Sequence, residues 1–243
     1  MTTTGGTGPR PGGTWTGGSV VAGGIAVALV TMGFLHVAGA ATVDPLDATI
    51  SDYVNVPGGY VLLALAAFAL AAGAVALAAG LAPAGLPDPA PPTRLLLSGS
   101  TALVLVAVFP TNAPDTPAGV VATIHRVAGG WVFASLPLAG WMVARRARLV
   151  DGWRALAPRL TGVAGATAVL SAGFLLSHVP IVIGTSPGFP LLGGVERVLY
   201  ASVMLVLLVT ARSVRLAVDD APNTAGVTTD AVLHDPTDIG RVA

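Results

Sequence analysis

The sequence predicts an all-α polytopic membrane protein: a bundle of six transmembrane helices with both termini cytoplasmic. Three observations predict it. The 243 residues are 53% hydrophobic and only 10% charged, against about 25% charged in soluble domains; one soluble core cannot take up so much apolar surface. The apolar residues fall into six stretches separated by short polar segments. The arginines cluster in every second inter-stretch segment, as the positive-inside rule requires of an alternating chain.

The elements follow in order. Residues 1–17, MTTTGGTGPRPGGTWTG, are rich in Gly, Thr and Pro and read as a disordered tail. The first apolar stretch is Ser19–Ala41. Its Ala38-Gly39-Ala40 step resembles a signal-peptide cleavage site, but the apolar run exceeds the ~7–15 residues of such a signal, so it is read as a membrane helix. The second, Tyr60–Leu81, is dense in Ala and Gly. Lipid gives helices no hydrophobic drive to associate, and small residues let them approach closely; this is the expected central helix.

The third stretch, Leu95–Phe109, rises only about 22 Å. Pro110 and Pro114 discourage further helix. Unless the helix begins before Arg94, it stops short of the surface, and residues 110–119, PTNAPDTPAG, are expected to dip into the bundle. Irregular backbone is tolerated there only when buried in protein or lining a cavity. The fourth, fifth and sixth stretches are Val121–Ala144, Leu160–Val182 and Val195–Thr210, the last again short. Residues 18–217 thus form the membrane domain, and residues 218–243 read as a second disordered tail.

Orientation rests on arginine. The segment after the fourth stretch carries Arg145, Arg146, Arg148, Arg154 and Arg159, and Arg212 and Arg215 follow the sixth. Both are expected to be cytoplasmic, which puts loops 42–59, 110–119 and 183–194 outside the cytoplasmic membrane. All twelve basic residues are arginine and there is no cysteine. Lysine and thiol chemistry, disulfides and Cys-held metals are excluded. A net charge of zero gives no reason to expect a nucleic-acid partner.

Helix rise converts spacing into depth. His125 lies twenty residues before Arg145 and His178 nineteen after Arg159, roughly 30 Å and 28 Å. His36 falls near the outer end of its stretch. Glu196, the only glutamate, and Arg197 lie slightly deeper. These groups therefore collect in the outer leaflet, below Asp44, Asp47, Asp52 and Asp115. Ionisable groups in a bilayer are costly and pair with one another around the bundle interior. Adjacent residues face different sides of a helix, so Glu196 is expected to reach another helix, with Arg126 as its partner. In the first outer loop, Leu46, Ile50 and Val54 have the spacing of a short amphipathic surface helix, from which Ser51, Asp52 and Tyr53 can cover a cavity. Tyr53, Tyr60, Trp131 and Tyr200 read as an outer aromatic belt, and Trp153 as part of an inner one.

At these residues the chain resembles the bacterial membrane proteins classed as the domain of unknown function 998 family. The resemblance rests on ISDY at Ile50–Tyr53, on FPTN at Phe109–Asn112 followed by GVVATIH ending at His125, and on GGVERVLY at Gly193–Tyr200. It covers about Ser19–Thr210. It implies a six-helix bundle and brings no catalytic residues. Asn112 stands where the family has an aspartate, so any role of that acid passes to Asp115 or is absent.

Two functional readings follow. In the first, an outer-leaflet cavity binds a lipid head group, a small ligand or a membrane partner. His125, Arg126, Glu196, Arg197, Asn112, Asp115 and Asp52 form its polar network, with arginine suited to phosphate or carboxylate. In the second, the protein is an intramembrane hydrolase acting on lipid, with His125, Asp115 and Ser51 as catalytic candidates. Its metal version uses His36, His125 and His178. No HExxH or other paired spacing links two histidines. No cofactor is therefore expected, and a binding role is preferred to an enzymatic one. Transport ranks last, because no inverted repeat and no helix broken at mid-membrane is present.

Overall fold

A computed structural model describes residues 15–113, 116–182, 185–186 and 188–227. Seven α-helices occur there: α1 (Gly17–Ala38), α2 (Gly59–Leu81), α3 (Ala90–Val108), α4 (Val120–Ala147), the four-residue α5 (Asp151–Arg154), α6 (Ala157–Val182) and α7 (Leu192–Val227). A 3-10 helix, Ile50–Asn55, lies between α1 and α2. No strand is present among the described residues. Six of the helices, all but α5, are long and apolar enough to cross a membrane. The chain is a multi-pass, all-helical membrane protein.

Consecutive membrane helices lie side by side, and α7 closes the bundle against α1, α2, α4 and α6. α1 and α2 approach most closely because Gly24 faces the backbone of Ala69, where a Cβ has no room. This is the small-residue interface expected of α2. Ser100 on α3 donates to the Ala71 carbonyl of α2 at 3.1 Å. Val30, Phe34, Val104, Val169 and Leu176 are exposed, as suits side chains facing lipid.

The two stretches that look short in sequence are longer as helices. α3 begins at Ala90, ahead of Arg94, with prolines in its first turn. Proline is tolerated there because the first amide donors of a helix have no intrahelical partner. Its 19 residues rise about 28 Å, so a shortfall in length does not draw residues 110–119 inward. α7 starts at Leu192 and runs on to Val227, past the Val218 at which the sequence reading begins its tail.

The bundle has an arginine-rich end and an arginine-poor end. At the arginine-rich end, Trp153 is fully buried and its indole donates to the Ala84 carbonyl at 2.9 Å. On α5, it packs in the core against the α2–α3 connection and is not a belt residue. Arg146 pairs with Asp88 at 2.7 Å in the same connection.

Candidate functional site

At the arginine-poor end, the segment between α1 and α2 folds over the bundle and is pinned to the start of α7. Thr49 and Asp52 set its shape: the Asp52 carboxylate accepts from the Thr49 amide at 2.7 Å and its hydroxyl at 2.9 Å. Such a bond satisfies donors that helix geometry leaves orphaned. Glu196 satisfies another, its Oε2 accepting the Ile50 amide at 2.7 Å. Three further bonds run in register. The Gly194 amide donates to the Leu46 carbonyl at 2.8 Å, the Leu191 amide to Asp47 Oδ1 at 3.0 Å, and Arg197 Nη1 to the Ala48 carbonyl at 2.8 Å. Gly193 permits this contact, since a Cβ there would strike the Ala48 carbonyl.

Arg197 is the centre of the clamp. Its Nε donates to His36 Nε2 at 2.8 Å, and Nη1 donates also to the Gly193 carbonyl at 2.9 Å. His36 Nδ1 lies 2.8 Å from the Met32 carbonyl. A carbonyl only accepts, so Nδ1 carries the proton and Nε2 is left to accept from the guanidinium. Tyr53, buried at 1% exposure, lies under both: its ring is 5.1 Å from the His36 ring and 5.5 Å from the guanidinium carbon. Tyr53 is therefore part of the core, not of an aromatic belt. Arg197 Nη2 is buried without a partner among the described residues.

Beneath this clamp lies a cavity of about 120 Å³. Ile50, Ser51 and Val54 of the 3-10 helix form its roof, and Tyr60, Thr111, His125, Glu196 and Tyr200 line it. Its deeper walls are apolar and reach Leu70 on α2 and Phe133 on α4. From Tyr60 to Leu70 is about 15 Å of helix rise, half of a ~30 Å hydrocarbon core. The space is thus polar at one end and apolar at the other.

His125 is held by a bond from Nδ1 to the Phe109 carbonyl at 2.7 Å. That bond fixes the tautomer and leaves Nε2 an acceptor. Tyr60 donates to the Val108 carbonyl at 3.2 Å, tying α2 to the same turn. Among the described residues His125 Nε2, Glu196 Oε1 and the Tyr200 hydroxyl make no hydrogen bond. These three groups are available to an occupant.

The predicted network is brought together only in part. His125 and Glu196 line one cavity, as does Ser51, whose hydroxyl lies 2.9 Å from Thr49 Oγ1. Asp52 and Arg197 hold the roof without lining the space. Arg126 does not pair with Glu196. It is exposed and donates to Asn112 Oδ1 at 3.0 Å. Asn112 in turn donates to the Thr116 carbonyl at 2.7 Å, a bond that a carboxylate in its place cannot make. Neither Arg126 nor Arg197 lines the cavity, so arginine does not supply its chemistry. Asp115 lies outside the described residues.

The three histidines do not converge. His36 serves Arg197. His178 bonds the Phe174 carbonyl at 3.0 Å, its ring 4.1 Å from that of Phe174 and 6.0 Å from that of Phe189. Among the described residues no three His, Asp or Glu side chains group as metal ligands do. Residues 44–55 are also not the surface helix that the spacing of Leu46, Ile50 and Val54 suggests. Ile50 and Val54 face the cavity while Leu46 stays exposed.

Two lining residues stood outside the expected polar network: Tyr200, read as part of the aromatic belt, and Thr111, expected only to reach the level of His125 if residues 110–119 dipped inward. Tyr200 follows Glu196 by four residues, a spacing that puts both on one helix face, so that signal was present. For Thr111 the signal was its place in the FPTN stretch, in the loop beside His125.

The segments ISDY, FPTN with His125, and GGVERVLY thus meet around one cavity. No curated protein and no solved structure matches the chain. A family model described as protein of unknown function (DUF998) matches residues 20–213, most of the chain. From its sequence stretches, its six helices and that match, the chain belongs to the DUF998 family of proteins of unknown function.

Proposed function

We propose that the protein binds the polar end of an amphipathic molecule in this cavity, at the outer leaflet of the cytoplasmic membrane. The observation that carries the reading is the polarity of the cavity along its length. Glu196, His125 and Tyr200 stand at the end nearest the bilayer surface, and apolar walls extend about half the bilayer depth below them. Ligand sites are typically mostly apolar with a few convergent polar groups. Here those groups offer acceptors, and no guanidinium faces the space. A hydroxyl or amine head fits; a phosphate or carboxylate head meets the Glu196 side chain instead.

The test compares octanol, octanoate and octane by ligand-observed NMR on detergent-solubilised protein. Octanol is expected to bind best, and Glu196→Gln to weaken it without unfolding the protein. Equal binding of all three, or tightest binding of octanoate, contradicts the reading. A second reading has one observation in its favour: Ser51 and His125 line the same cavity, as a nucleophile and base for lipid ester hydrolysis would. Labelling by a fluorophosphonate, lost on Ser51→Ala, is its expected sign; no labelling removes it.

A further inference from the structure

A second space lies at the opposite end of the molecule, between α6 and α7. It is a groove of about 650 Å³, with Arg159, Gly162 and Leu170 on one wall and Ser202, Val209 and Arg212 on the other. On the membrane side of the guanidiniums, Arg159 to Leu170 is about 16 Å of helix rise and Arg212 back to Ser202 about 15 Å, while Leu156 and Leu216 carry the groove about one turn beyond them. The groove therefore spans the depth of one leaflet. Its hydroxyls are already satisfied within their own helices: Thr167 donates to the Val163 carbonyl at 2.9 Å, Ser213 to Val209 at 2.9 Å and Ser202 to Val198 at 2.8 Å. The walls are in effect apolar, and the two guanidiniums lie together near one end.

Those guanidiniums differ from several of their neighbours. Arg146 pairs with Asp88, Arg154 with Asp151 and Arg215 with Asp219, while Arg148 donates to Thr161. Arg159 and Arg212 are exposed and have no ion-pair partner among the described residues. We propose that this groove binds one anionic phospholipid of the cytoplasmic leaflet, with its phosphate on Arg159 and Arg212 and an acyl chain along Gly162 and Val209. Two arginine forks complement a phosphate in charge and geometry. The length also selects the occupant. A partner helix needs about 30 Å of contact to cross the membrane, and the groove, about 21 Å from end to end, stops short of that.

The full chain in nanodiscs of mixed phosphatidylglycerol and phosphatidylcholine is released and weighed by native mass spectrometry. One phosphatidylglycerol is expected to remain bound in preference to phosphatidylcholine. The double variant Arg159→Gln/Arg212→Gln is expected to lower its retention roughly 30-fold, the effect of two guanidiniums at an anionic surface, while Arg94→Gln leaves it unchanged. Gly162→Leu blocks the chain slot from the other side. A Cβ at Gly162 meets nothing within 4 Å, so this variant is expected to fold, as its unfolding transition in detergent will check, and it too is expected to lose the lipid. Equal retention of both lipids overturns the proposal. So does retention unaffected by either variant, or a dimer that Gly162→Leu dissociates, which would make the groove an interface between copies of this chain.

Discussion

Glu196 and Arg197 are neighbours with opposite charges that do not pair with each other. Helix geometry explains it: adjacent side chains diverge, so Glu196 reaches the Ile50 amide and Arg197 reaches His36 and Ala48. The two roles separate by substitution. Glu196→Ala leaves the Ile50 amide without its acceptor and is expected to cost about 1–3 kcal/mol, read as unfolding free energy in detergent. Glu196→Gln keeps a carbonyl acceptor there and is expected to cost less than about 1 kcal/mol while weakening octanol. Equal destabilisation by both would show that the carboxylate acts through something other than the amide bond. Arg197→Met removes three donated bonds but also the buried Nη2 that has no partner. Bonds within membranes average about 0.6 kcal/mol by double-mutant cycles, so a loss of roughly 2 kcal/mol is expected, and a gain in stability would contradict the clamp.

At the scale of elements, the decisive join is between the start of α7 and residues 46–50. Gly193→Ala places a methyl against the Ala48 carbonyl and is expected to lift the roof, destabilising by about 1–3 kcal/mol as overpacking does and abolishing octanol binding. Unchanged binding in that variant would separate the roof from the site. Trp153→Ala empties a fully buried indole site at the other end and is expected to cost about 3–5 kcal/mol without changing octanol affinity in the protein that remains folded. The helices themselves were legible, because about 20 apolar residues have few ways to fit a bilayer. The start of α3 was obscured by Pro91 and Pro92, which look like helix breakers and serve as a first turn. The partner of Glu196 was not legible at all. Charge suggests an arginine, but the acceptor was used by a main-chain amide 146 residues away, and an amide carries no residue-type signal. The aromatic belt failed at Tyr53 and Trp153 for a related reason: amphipathic rings suit interfaces, yet each found a polar partner or cation inside.

For the whole molecule, the two ends differ in what they could bind. The arginine-poor end holds the polar-headed cavity, and the arginine-rich end holds the open groove of α6 and α7. Arginine bias is the ground on which the first is proposed to be the outer end. A periplasmic reporter fused after Thr185 is expected to be active and one fused after Arg148 inactive; the opposite pattern would reverse both leaflets. The depth reading from helix rise did bring Glu196 and His125 to one place, because a rigid 1.5 Å rise fixes level well. It could not fix rotation about the helix axis, and so did not foresee that Arg126 turns to Asn112.

The central claim is that an amphipathic molecule occupies the cavity under the 3-10 helix. A long-chain alcohol carrying a photoactivated diazirine, crosslinked in membranes and mapped by peptide mass spectrometry, tests it most directly. The account predicts label on the cavity walls, between Leu63 and Leu70 and between Gly129 and Phe133. It also predicts that Gly129→Leu, where a Cβ meets nothing within 4 Å, removes the label by filling the space. Label spread over the lipid-facing Val30, Val104 and Leu176, unchanged by Gly129→Leu, would contradict it.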